Sequence, residues 1–209
     1  MNKIDLSIIV PVHNLENYIQ PLLSTLWNQQ IDDIQVEYVF CFDRCTDHSM
    51  DIVEEWSNKM AKNEKASSIV MLSCDFGRPG LTRNSGLENS SGEYIWFVDG
   101  DDWLISENAI SVLYNTIKSN NLNLLRFGYM SLYKKYNNKP NQGWMMVWRY
   151  IYRRDFLSDI KFGDKLNEED NDFSLRVCQK ANWEIPEIAD EFYFYNYFRK
   201  GSLTYPIYH

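Results

Sequence analysis

The 209-residue chain holds no glycine-rich phosphate loop: neither G-x-G-x-x-G nor G-x-x-x-x-G-K-[ST] occurs in it. Dinucleotide-binding and P-loop folds are disfavoured, because both need those glycines for close backbone approach to phosphate. Cysteine is scarce. Cys41, Cys45, Cys74 and Cys178 are all there is, and the C-x₃-C spacing of the first two, joined by no histidine pair, is not a zinc signature. They read as reduced, mostly buried thiols, as in cytosol. Basic residues are outnumbered, 21 Lys and Arg against 29 Asp and Glu, for a formal net charge of −8. That argues against a broad phosphate-tracking face, so no nucleic-acid partner is expected. An anionic substrate would need local help from a metal or a few arginines. No apolar run approaches the ~20 residues of a transmembrane helix, and no signal-peptide pattern precedes Leu6. The expectation is a cytoplasmic protein, with peripheral association at the inner face of a membrane left open.

What is present is organised around Tyr94-Ile95-Trp96-Phe97-Val98-Asp99-Gly100-Asp101-Asp102-Trp103. Five apolar residues without polar alternation read as a strand buried on both faces, as in the middle of a parallel sheet. Ligands of open α/β sheets sit beyond the carboxyl ends of such strands. Three crowded carboxylates there repel one another and suit an oxygen-preferring divalent cation, Mn²⁺ or Mg²⁺. The alternative is a solvated acidic turn.

Strands and helices alternate through the first hundred residues. Leu6–Val12, Val36–Phe42 and Ile69–Leu72 read as strands. Apolar residues from Leu15 to Trp27, from Ile52 to Met60 and in 81–89 recur at helical spacing. Asn58–Ser68 and Asp75–Gly80 read as loops. This alternation implies a parallel sheet with right-handed crossovers. Apolar content of 44% is enough for a sizeable core. Beyond Trp103, Ser106 is a candidate cap for a helix through Ile110, Leu113 and Ile117. Leu122–Tyr133 and Trp144–Tyr152 are strand-like around a polar loop, Lys134–Gly143, and the expectation there is mixed or antiparallel pairing. The aromatic tract Phe192–Phe198 reads as a strand with core contacts rather than a lipid or sugar platform.

With these pieces placed, the sequence resembles the family 2 glycosyltransferases of the GT-A fold along nearly its whole length. Ser7-Ile8-Ile9-Val10-Pro11-Val12-His13-Asn14 looks like the family's opening S-I-I-V-P-x-Y-N, and Thr25-Leu26-Trp27-Asn28-Gln29-Gln30 like its S-I-L-N-Q-T. Cys41-Phe42-Asp43-Arg44-Cys45-Thr46-Asp47 stands where the family has V-D-D-G-S-T-D. Arg83-Asn84-Ser85-Gly86-Leu87, Gly92-Glu93-Tyr94-Ile95, Asp99-Gly100-Asp101-Asp102, Glu169-Asp170-Asn171-Asp172-Phe173 and Arg199-Lys200-Gly201-Ser202 are similar to A-R-N-x-G-L, G-E-Y-I, D-x-D-D, E-D-x-x-F and R-x-G-S. Three departures, at His13, Phe42 and the Arg44-Cys45 pair, fall around the expected base pocket.

The resemblance implies a Rossmann-like, mostly parallel sheet flanked by helices, with a mixed C-terminal portion. Residues 1–104 would bind the nucleotide sugar and 105–209 would form the acceptor and base half of the same domain. It implies a metal-dependent, inverting transfer from a nucleoside-diphosphate sugar, UDP-linked, to a hydroxyl of a saccharide or lipid-linked saccharide in surface-polysaccharide assembly. Asp101 would ligate the metal, and Asp99 would meet the metal or the ribose. Pro11, Val12, His13, Asn14, Glu16 and Asp43 would line the nucleotide, with Arg78, Arg83 and Arg199 on phosphate, where arginine forks match oxygen geometry. Asp170 would be the general base, with Glu169 in reserve.

Each assignment has a plainer alternative. Asp43 also suits a turn cap, His13 a surface histidine, Arg83 an ion pair in the core and Arg199 a solvated loop. Asn167 and Asp170 suit a helix capping box. A sugar-nucleotide pyrophosphorylase would want a glycine-rich, basic loop after the first strand, which Val12-His13-Asn14-Leu15-Glu16 is not. A catalytically inactive nucleotide- or sugar-binding module is the rival from another class.

Overall fold

The computed structural model describes residues 3–31, 33–63, 66, 68–131, 146–166, 168–196 and 199. Four strands, β1 (Leu6–Val12), β2 (Val36–Asp43), β3 (Ser68–Cys74) and β4 (Tyr94–Phe97), pair in parallel in the order β3-β2-β1-β4. Helices α1 (Gln20–Trp27), α2 (Ser49–Lys62) and α3 (Pro79–Glu88) connect them. The side-chain period of two sends alternate residues of one strand to opposite faces. Tyr94, Trp96 and Val98 accordingly join one apolar cluster, with Leu22, Leu23 and Leu26 of α1 and Val53, Trp56 and Met60 of α2. Ile95 and Phe97 join the other, with Phe173 and Val177. That two-sided burial is why β4 reads as an unbroken apolar run.

The second half adds β5 (Trp103–Leu104), α4 (Ala109–Ser119), β6 (Leu124–Met130), β7 (Tyr150–Arg153), α5 (Glu169–Lys180) and β8 (Glu187–Phe194). The sheet continues from β4 as β7-β6-β8-β5. β7 runs antiparallel to β4 and β6, β8 parallel to β6, and β5 antiparallel to β8. This is the mixed pairing expected. The backbone N–H of Asp99, just past β4, donates to the Tyr193 hydroxyl of β8, three places away in the strand order, at 3.1 Å. The sheet therefore curls until β8 meets the acidic turn.

Several local expectations need correction. The polar stretch after Asn58 is helical to Lys62, because Met60 is buried four residues after Trp56 and Glu55 pairs with Lys59 at 2.7 Å. The first helix begins at Gln20 rather than Leu15, with a proline in its first turn, where a missing N–H costs nothing. Helix α4 has Asn108 rather than Ser106 at its cap; Asn108 makes no side-chain cap bond, and Gln29 Oε1 accepts the first-turn N–H of Ile110 at 3.1 Å instead. Of Trp144–Tyr152, residues 144 and 145 lie outside the described residues; in the described part a 3₁₀ turn at Val147–Arg149 precedes the strand, which begins at Tyr150. Two carbonyls of that turn serve side chains instead of a ladder: Trp148 O accepts Trp96 Nε1–H at 2.9 Å, and Val147 O accepts the Tyr152 hydroxyl at 2.8 Å. Lys134–Gly143, Asn167 and Lys200–Ser202 lie outside the described residues.

Candidate active site

The acidic turn leaves β4 at Asp99. At Gly100 an added Cβ would sit 2.6 Å from Leu15 Cδ1 and 3.2 Å from Pro11 O. Glycine thus lets the turn press onto the segment that follows β1. Asp99 Oδ1 accepts Arg83 Nη2 at 2.7 Å, and Glu169 Oε1 accepts Arg83 Nη1 at 2.9 Å. The Arg83 side chain is 7% exposed. Helix α3 thereby ties the metal-motif turn to the start of α5, two regions 70 residues apart in sequence. Of the two readings of Arg83, this geometry is the core ion pair, and its fork is spent on carboxylates rather than aimed at phosphate. Burial opposes its charge, but Asp99, Glu169 and Asp170 together raise its pKa.

Asp101 Oδ2 accepts Arg199 Nε at 2.5 Å. Burial pushes the Asp101 carboxyl above its ordinary range, against the pull of Arg199. Asp102 is buried and fully engaged: Oδ2 accepts the Tyr193 hydroxyl at 2.6 Å and Oδ1 accepts Asn196 N–H at 2.7 Å. Burial and then the neighbouring Asp101 and Asp99 push its carboxyl well up.

Asp170 opens α5 beside Glu169. Its carboxyl is raised to about 6, first by burial, with Glu169 and Asp99 adding and Arg83 opposing. One oxygen accepts Asn171 N–H at 2.8 Å. The residue at the cap of α5, Glu168, makes no side-chain cap bond. A carboxylate this basic is better matched to proton abstraction near neutral pH than an ordinary aspartate.

At the nucleotide end, Asp43 does what a turn cap does. Oδ1 accepts Phe76 N–H at 2.8 Å and Gly77 N–H at 3.1 Å; Oδ2 accepts Arg78 N–H at 3.2 Å and the Thr82 hydroxyl at 2.9 Å. Burial raises this carboxyl, but the donors of Gly77, Phe76, Thr82 and Arg78 outweigh it and hold the pKa low. His13 Nδ1–H donates to Asp43 O at 2.7 Å. Asn14 Oδ1 accepts Thr46 N–H at 2.8 Å and Glu16 Oε2 accepts His48 N–H at 3.1 Å. The loops after β1, β2 and β3 are thus knitted into one rim. Pro11 is partly exposed on it, Val12 is buried beneath, and the His13 ring and Phe76, 41% exposed, face outward. Arg78 pairs with Asp164 at 3.2 Å and stays partly exposed.

Residues 7–181 match the family model for glycosyl transferase family 2. The chain belongs to that family. It is 31% identical, over 94% of its own length and 36% of the relative's, to TarS, a poly(ribitol-phosphate) beta-N-acetylglucosaminyltransferase of Staphylococcus aureus strain MW2. It is 27% identical to the uncharacterized glycosyltransferase EpsJ of Bacillus subtilis strain 168, over 95% of this chain and 62% of that one. The crystal structure of S. aureus TarS 1–349 in complex with UDP superposes with a TM-score of 0.79 at 25% identity, covering 92% of this chain and 60% of that one. The mannosyltransferase PcManGT of Pyrobaculum calidifontis, in complex with GDP-Man and Mn²⁺, shares the fold at 13% identity and a TM-score of 0.71, over 96% of this chain and 59% of that one. The chain therefore spans about a third of TarS and 60% of its 1–349 fragment.

A family 2 member with a divalent cation would hold it at Asp99 and Asp101. Among the described residues no three ligating side chains form a ready-made cage. Among the described residues, Asp99 and Asp101 each give only one oxygen to a side-chain partner, an arginine. A hard cation bound by one or two carboxylates and completed by water and diphosphate oxygens needs no cage, so the residues fit.

Sequence reasoning missed Thr82, Tyr193 and Asn196. Thr82 was hidden inside an A-R-N-type motif as a helix residue. Tyr193 and Asn196 were hidden in an aromatic tract whose period announced only a strand.

Proposed function

We propose that this chain binds a nucleoside-diphosphate sugar, UDP-linked, and transfers the sugar with inversion to a hydroxyl of a saccharide or lipid-linked saccharide during surface-polysaccharide assembly. The observation that carries the reading is the Arg83 bridge. It brings the acidic turn and the Glu169-Asp170 pair side by side, as an in-line displacement needs a leaving-group end and a base end. The complexes of TarS 1–349 with UDP and with UDP-GlcNAc support UDP as the nucleotide.

The knitted rim of His13, Asp43 and Phe76 receives the base, with Asp43 acting through the loop it holds. Asp99 and Asp101 would hold Mn²⁺ or Mg²⁺, which when bound would supply charge neutralisation of the diphosphate. Arg78 and Arg199 offer guanidinium groups to the same oxygens. Asp170 accepts the proton of the attacking hydroxyl as its oxygen bonds to the anomeric carbon, and the bond from that carbon to the diphosphate breaks on the opposite face. Nucleoside diphosphate leaves with the electron pair. Base catalysis of this kind contributes on the order of 10²–10⁴-fold.

The test is thermal unfolding with UDP, GDP and no nucleotide, each with Mn²⁺ or EDTA, for the parent and Asp101→Asn. The expectation is a UDP-selective rise in melting temperature that needs Mn²⁺ in the parent and is lost in the variant. A ligand at a hundredfold excess over Kd stabilises by about 2.7 kcal/mol. Equal response of parent and variant to UDP with Mn²⁺ would remove Asp101 from the metal site.

A further inference from the structure

The turn that carries Asp99 and Asp101 is anchored from the far end of the chain. Tyr193 stands in β8, and its hydroxyl makes two bonds at once. It accepts the backbone N–H of Asp99 at 3.1 Å and donates to Asp102 Oδ2 at 2.6 Å. Three residues on, Asn196 grips the same turn twice: its backbone N–H donates to Asp102 Oδ1 at 2.7 Å and its side-chain amide donates to Asp101 O at 3.2 Å. The strand pairing Leu104↔Tyr193 fixes the register immediately beyond. The tyrosine cannot drift, because its ring stacks on Trp148 at 4.5 Å and 8°, while Trp148 O holds the indole N–H of Trp96 in β4. Tyr193 is fully buried.

Packing alone would be served by phenylalanine. A hydroxyl that both accepts from the backbone of Asp99 and donates to Asp102 sets where the turn's peptides lie. The carboxylates of Asp99 and Asp101 project from those peptides. We propose that Tyr193, acting through Asp102, is a positioning residue that aligns Asp99 and Asp101 for the divalent cation and the diphosphate. The inference rests on the donor-site reading given above. It adds that cation-dependent donor binding is set by a residue 92 positions after Asp101, outside the D-x-D-D motif.

The experiment compares the parent, Tyr193→Phe and Asp102→Asn. Free Mn²⁺ is counted by electron paramagnetic resonance, and UDP affinity is measured by calorimetry in Mn²⁺ and in EDTA, with melting temperatures alongside. Outer-shell partners of metal ligands are typically worth about 10–100-fold in affinity. The expected result is a loss of that order in Mn²⁺ affinity and in UDP affinity with Mn²⁺ for Tyr193→Phe, with UDP affinity in EDTA unchanged. Asp102→Asn breaks the same link from its other end, since one amide oxygen cannot replace two carboxylate oxygens, and should behave alike. Parent-like Mn²⁺ affinity in Tyr193→Phe overturns the inference. So does a parallel loss of UDP affinity in Mn²⁺ and in EDTA with a lowered melting temperature, which a packing role alone would give. A parent that binds UDP but is indifferent to Mn²⁺ refutes the metal reading of Asp99 and Asp101 before any variant is compared, and the inference falls with it.

Discussion

Asp170→Asn separates catalysis from stability in a way that only a raised carboxyl can. The Asp170 carboxyl lies at about 6 in the folded chain, against an ordinary 3.8, because it is buried beside Glu169 and Asp99 and only partly relieved by Arg83. The folded value is the higher one, so the native state binds the proton more readily than the unfolded state. The contribution of Asp170 to stability is then fully present below about pH 4 and is lost as pH rises through about 6. Two units at 1.36 kcal/mol each make the loss roughly 3 kcal/mol. Asparagine keeps the shape and does not titrate. Relative to the parent, Asp170→Asn should gain up to about 3 kcal/mol between pH 4 and 7.5. Urea unfolding of both proteins at pH 4.5, 6 and 7.5 measures this, and carboxylates common to both cancel in the difference.

Activity should move the other way. Release of UDP from a UDP-sugar in the presence of a hydroxyl acceptor should fall by on the order of 10²–10⁴-fold in Asp170→Asn, with donor binding near parental. In the parent, kcat/KM should fall tenfold per unit below an apparent pKa near 6, and that limb should vanish from the residual rate of the variant. A variant that turns over like the parent would refute the base assignment. A stability difference independent of pH would refute the raised carboxyl on which the argument stands.

Two further outcomes test the surroundings. Arg83→Met should cost about 3–5 kcal/mol in urea unfolding, toward the lower end because the Asp99 side chain keeps 23% exposure; adding Glu169→Gln should restore part of the loss, and two independent, additive effects would show that the bridge carries no coupling. Asp43→Ala should free three backbone N–H groups and the Thr82 hydroxyl, lowering UDP affinity by roughly 1.5–3 kcal/mol as the rim loosens. Calorimetry showing parental UDP affinity in that variant would take Asp43 out of the site's construction.

The parallel half was legible because its signals are local. An apolar run such as Tyr94–Val98 reports burial on both faces, and the helices of that half show their apolar stripes within a dozen residues. The family 2 motifs are legible for the same reason: each is a strand end with its turn. The second half was less so. The 3₁₀ turn at Val147–Arg149 exists because Trp96 and Tyr152, distant in sequence or reached through the fold, take two of its carbonyls, and nothing in the turn's own residues announces that.

The roles of the arginines and of Asp43 show the same limit from the side of function. A motif names a residue type at a position; it does not say which partner neutralises it. Arg83 sits in an A-R-N-type motif and so invited a phosphate role, yet burial at 7% exposure demands a partner of opposite charge, and Asp99 and Glu169 supply two. Asp43 invited a direct contact with the base, yet four donors converge on it from 33 to 39 residues later, three backbone N–H groups ahead of α3 and the Thr82 hydroxyl within it. In both places a conspicuous charged residue organises other groups, so its effect on the donor is transmitted through geometry. Asp101 differs: its only side-chain hydrogen-bond partner among the described residues is Arg199. On the donor-site reading, Asp101 would have to be shared between a cation and the Arg199 guanidinium, and Arg199 would find new acceptors in diphosphate oxygens. Donor and cation binding should on this argument be mutually reinforcing, each removing the cost that the other would meet alone.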